Sequence, residues 1–142
     1  MEESTLKYWK DAGHVARRTL EAMKLELTPG KTFHEVIEAA ERYIHRHGGK
    51  PAFPGTIAVN DLAAHFTTDH AVNQVEGWDG EMVLQKGDCV KIDFGVHIKG
   101  HIADNALTFE IGNGNEHTEQ IKAAKEARDA AIEMMHPGTP WY

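Results

Sequence analysis

The chain has 142 residues, a formal net charge of −7 and a single cysteine, Cys89. This length fits one domain, 1–142, able to bury roughly 68–70% of its unfolded surface, and one cysteine excludes an internal disulfide. No run of about 20 apolar residues marks a membrane span, no basic segment with an apolar core follows Met1, and no Lys/Arg cluster interleaved with aromatics marks nucleic acid as a partner, so a cytoplasmic protein with neither membrane nor nucleic-acid partners is expected.

Apolar residues at Leu6, Trp9, Val15, Ala16, Leu20 and Met23 keep a helical period from Thr5 to about Glu26, and Pro29-Gly30 ends it. Thr32-Phe-His-Glu35 reads as a capping box, in which the hydroxyl and the carboxylate satisfy orphan amide hydrogens at a helix start. Phe33, Val36, Ile37, Ala40 and Ile44 then form the stripe of a second helix, which Gly48-Gly49 stops. Pro51 to Asn60 reads as a loop running into a strand that ends near Asn60-Asp61. The polar stretch from Thr67 to Gly80 reads as a surface loop.

The most informative segment is a predicted β-hairpin from Val90 to Phe109. Side chains alternate between faces, so Val90, Ile92, Phe94 and Val96 line one side with Ala103, Leu107 and Phe109, while Asp93 and Asp104 share the other. A turn centred between Ile98 and Lys99 sets Asp93 directly opposite Asp104, Val90 opposite Leu107 and Phe94 opposite Ala103. Like charges so placed, with Cβ atoms roughly 4.5–5.5 Å apart, destabilise a sheet unless a multivalent cation or a shared proton offsets them. Gly95 and Ala106 flank the acids and leave room for a ligand. His97 and His101 flank the turn as solvated residues, and Cys89 reads as a small half-buried strand residue.

A third helix runs from Glu116 to about Met135 with Ile121, Ala124, Ala127, Ala131, Ile132 and Met135 on one stripe, and His136-Pro137-Gly138 breaks it. Ending on Trp141-Tyr142 looks like a cut between elements. The order helix, helix, strand, hairpin, helix gives an α/β (α+β) fold, a mixed or antiparallel sheet with helices packed on one face.

Taken together, Lys50-Pro-Ala-Phe-Pro54, Asn60-Asp-Leu-Ala-Ala-His65-Phe, Lys91-Ile-Asp93-Phe-Gly and His101-Ile-Ala-Asp104-Asn-Ala-Leu-Thr108 resemble the type II methionine aminopeptidases. The resemblance covers nearly the whole chain. It implies half of a pita-bread fold, with the C-terminal half, which carries a histidine and two glutamates of a di-metal site, absent from this chain. It also implies Asp93 and Asp104 as metal ligands, Asp104 bridging two ions, with His65 contacting substrate near the scissile bond and Phe53 lining the methionine pocket. The implied cofactors are two divalent ions, Co, Mn, Fe or Zn, which polarise a peptide carbonyl and acidify water. The implied partners are nascent polypeptide N-termini, the complete protein being a monomer and this fragment inactive alone. Against the family pattern, 69–80 looks like an inserted loop. A prolidase or aminopeptidase P relative and a non-catalytic pita-bread binding protein are the competing readings.

Overall fold

The computed structural model describes residues 2–62, 64–68, 82–112 and 114–140. The proposed insertion at 69–80, Ala63 of the Ala-Ala-His segment, and Trp141-Tyr142 lie outside the described residues. Helix α1 spans Glu3–Glu26 and buries Ala12, Val15, Ala16, Thr19, Leu20 and Met23, the i, i+3, i+4 spacing of one face. The stripe fades toward its N-terminus, where Leu6 and Trp9 are exposed. Helix α2, Phe33–Arg46, starts at the expected capping box. Glu35 N–H donates to Thr32 Oγ1 at 3.1 Å, and Thr32 N–H donates to Glu35 Oε2 at 2.8 Å. That second bond holds the Glu35 carboxyl below its usual pKa.

The strands are β1 (Lys50–Pro51), β2 (Thr56–Val59), β3 (Cys89–Ile98) and β4 (His101–Glu110). Every pairing is antiparallel: β4 runs along one edge of β3, while β1 and β2 pair with its two ends. Helices α1 and α2 cover one face, where Val90, Ile92, Phe94 and Val96 join Met23, Val36, Ile37 and Ile44 in the core. The opposite face of β4 is open, with Ile102, Asp104 and Ala106 exposed.

The hairpin register differs from expectation. The turn residues are Lys99 and Gly100, both at positive φ (52° and 82°), the two-residue type I′ geometry whose twist suits the flanking strands. The centre therefore falls one residue later, pairing Asp93 with Ala106, Gly95 with Asp104, Val90 with Phe109 and Phe94 with Asn105. Partners shift by two, so each side chain keeps its expected face.

Helix α3, Thr118–Met134, fully buries none of its residues, and of its apolar stripe only Ile121 is half-buried among the described residues. It rests beside β4 and is tied there through Glu110, whose carboxylate accepts from Glu116 N–H at 2.9 Å and from the Thr118 hydroxyl at 3.5 Å. Thr67 and Thr68, which open the expected surface loop, are buried instead. No helix among the described residues is long and apolar enough to cross a membrane.

Candidate metal centre

Asp93 and Asp104 are diagonal neighbours on one face of the hairpin, since each pairs with the residue two positions from the other. Aspartate is a poor strand former, and two on one face of a well-patterned hairpin concentrate acceptor oxygens where the sheet gains nothing from them. Asp93 is half-buried, and its Oδ1 is buried with no hydrogen-bond donor facing it among the described residues. Burial pushes the Asp93 carboxyl above its ordinary pKa, and the charge of Asp104 and a side-chain hydrogen bond with it push in the same direction. Lys91 and His65 work against that rise. An ionised carboxylate here needs either a proton or a cation. The orphaned acceptor beside a second carboxylate suits a hard divalent ion. Among the described residues no three His, Cys, Asp or Glu side chains converge as a complete ligand set.

The expected substrate contact, His65, is carried by a constrained backbone. Asn60, at φ 53°, closes β2: its N–H donates to Cys89 O, its side-chain amide donates to Asp88 Oδ1, and its Oδ1 accepts from Cys89 N–H, each at 2.9 Å. The chain turns back there, and Ile57 N–H donates to Phe66 O at 2.8 Å. The Phe66 ring packs edge-on against Phe33. His65, immediately before Phe66, is exposed and held at φ 69°, a left-handed conformation of the kind that clusters at functional sites.

Phe53 joins the acids. Its ring lies over Gly95, which pairs with Asp104 and stands two residues from Asp93 on the same face. The room expected above Gly95 is therefore filled by an aromatic ring, leaving Ala106 as the open flank. His101 is not a solvated turn residue: it is half-buried, with Tyr8 and Trp9 ring centroids at 5.3 and 5.2 Å. His97 is half-buried too, its Nδ1 accepting from Gly100 N–H at 3.3 Å. Burial raises the Cys89 thiol pKa, which disfavours a thiolate nucleophile.

Sequence reasoning missed Asn60 and the Phe53–Gly95 contact. The Asn60-Asp61 turn signal was available for the first, since Asn tolerates positive φ. Nothing local encodes the second, which joins a residue of the bend after β1 to one in the middle of β3.

The metallopeptidase family M24 model matches residues 7–142. This chain belongs to metallopeptidase family M24. A methionine aminopeptidase from Thermococcus onnurineus (strain NA1) is 39% identical over 89% of this chain and 40% of its own length. Among solved structures, methionine aminopeptidase from Thermotoga maritima aligns with a TM-score of 0.82 at 24% identity, over 97% of this chain and 55% of that one. Prolidase from Pyrococcus horikoshii OT3 aligns at 0.78 with 29% identity, over 96% of this chain and 38% of that one. This M24 chain thus has half of the pita-bread architecture and spans less than half the length of the first curated relatives it matches.

Proposed function

We propose that residues 1–142 form the first half of a pita-bread methionyl aminopeptidase, contributing one wall of a two-ion centre and part of its substrate pocket. The observation that carries this reading is the shared face of Asp93 and Asp104, with the donorless Oδ1 of Asp93 turned inward. Asp93 and Asp104 would hold the ions. The ions, Co, Mn, Fe or Zn, would supply Lewis-acid polarisation of the first peptide carbonyl and acidify a water.

The side chains of this chain perform the remaining tasks. The exposed His65 donates to or accepts from the peptide next to the bond being cut. Phe53 offers an apolar wall against which an unbranched, polarisable methionine side chain packs. The substrates are the N-termini of nascent polypeptides in the cytoplasm, and the complete protein acts as a monomer. The remaining ligands, a histidine and two glutamates, come from outside these 142 residues, so the chain alone is inactive.

The test is release of free methionine from Met-Ala peptides by the full-length protein supplied with Mn or Co. Asp104→Ala should lose more than the roughly 10- to 100-fold that accompanies loss of a residue merely orienting a ligand. Equal rates for the variant and the parent would remove Asp104 from the centre. The prolidase likeness supports a second reading, cleavage before proline. Hydrolysis of an Ala-Pro dipeptide in preference to Met-Ala would favour it.

A further inference from the structure

We propose that Gly95 determines which first side chain the protein accepts, by providing the seat that lets the Phe53 ring lie close against β3. This deepens the aminopeptidase reading and rests on it. Gly95 is buried, and its carbonyl accepts from Ala52 N–H at 2.9 Å. The adjacent Pro51 pairs with Val96, so the segment carrying Phe53 is strapped to β3 immediately before the ring. A Cβ on Gly95 would fall 2.8 Å from Phe53 Cδ1, nearer still to Cε1, and 2.9 Å from Ala52 Cβ. Atoms do not approach so closely in packed interiors, so one of the three must move.

The backbone at Ala52 is held by its hydrogen bond, whereas the Phe53 ring can rotate. A Cβ at this strand position points out of the sheet on the face that carries Asp93 and Asp104, so it drives the ring away from the strand on that face. Where that ring walls the side-chain pocket of the proposed site, the bare Cα of Gly95 therefore sets the pocket's depth. With glycine the ring lies as low as the strand permits, leaving length for a long, unbranched thioether side chain. With any larger residue the ring rises and the same space fits only a short side chain.

The experiment compares kcat/KM of the full-length, metal-supplied protein on two peptides alike except for their first residue, methionine or 2-aminobutyrate. Gly95→Ala is expected to lower the methionine value by about tenfold or more, chiefly through KM, while the 2-aminobutyrate value stays within about threefold. Adding Phe53→Leu, which vacates the space that the new methyl needs, should bring the double variant to within about threefold of Phe53→Leu alone. Thermal midpoints of the four proteins provide a second readout. Gly95→Ala should melt lower than the parent, and the double variant should recover most of that loss relative to Phe53→Leu.

Equal losses on both peptides would overturn the proposal, as would a double variant no better than the sum of its parts. If Gly95→Ala fails to fold and Phe53→Leu does not rescue it, the methyl collides with something other than the ring, and the seat is disproved. A parent protein that releases neither residue removes the aminopeptidase reading and this proposal with it. A parent that cleaves, with a Gly95→Ala variant of unchanged preference, removes the seat alone.

Discussion

Asp93 opposes folding as long as its charge lacks a partner. Its carboxyl, raised by burial and by Asp104, holds a proton more tightly in the folded protein than in the unfolded chain. The sign follows: the folded state is favoured most below the unfolded carboxylate pKa, and stability falls as pH rises through the raised folded value. In chelator-treated full-length protein, Asp93→Asn should therefore raise the urea midpoint at pH 7, with the difference vanishing below about pH 4. Added divalent cation should then stabilise the parent more than the variant. A variant less stable than the parent at pH 7 would mean that the charge is already compensated. At this scale the sequence revealed which side chains share a face, because alternation fixes that, but not which ones pair. Lys99 adopts positive φ, a conformation that lysine seldom takes, and residue type alone did not announce it.

Helix α2 shows how a local signal can be complete. The Thr32 and Glu35 bonds lie within four residues, so the start of the helix was legible before any tertiary contact was known. Thr32→Ala should lower stability by about 1 kcal/mol, measured by urea denaturation of the full-length protein. Because the Glu35 carboxyl is held low, its contribution is present above the ordinary glutamate pKa and is lost as pH falls through the depressed value. The deficit of Glu35→Ala, which removes that carboxylate, should accordingly narrow in acid, whereas a pH-independent deficit would leave the Glu35 carboxylate outside the box. Elements with non-local causes were less legible. Strand β1 is two residues long and exists because β3 offers it an edge, and the stripe on α3 announced a helix but not what would cover it.

Across the molecule, stability is unevenly distributed. The core joins α1, α2 and the sheet and includes no residue of α3, whose Ile132 and Met134 are 57% and 68% exposed. In these 142 residues alone, α3 amides should exchange with deuterium well before those of α1, with protection set by local opening instead of global unfolding. Equal protection would place α3 in the same cooperative unit. The centre itself combines parts of different provenance. Both acids lie in a hairpin of neighbouring residues, whereas the segments carrying Phe53 and His65 are held by pairings of β1 and β2 with a distant stretch of chain. Mild denaturation that frees those short strands would therefore disperse the wall that recognises a peptide before it separates the two carboxylates. The protein would lose its selectivity for substrates while still competing for cations.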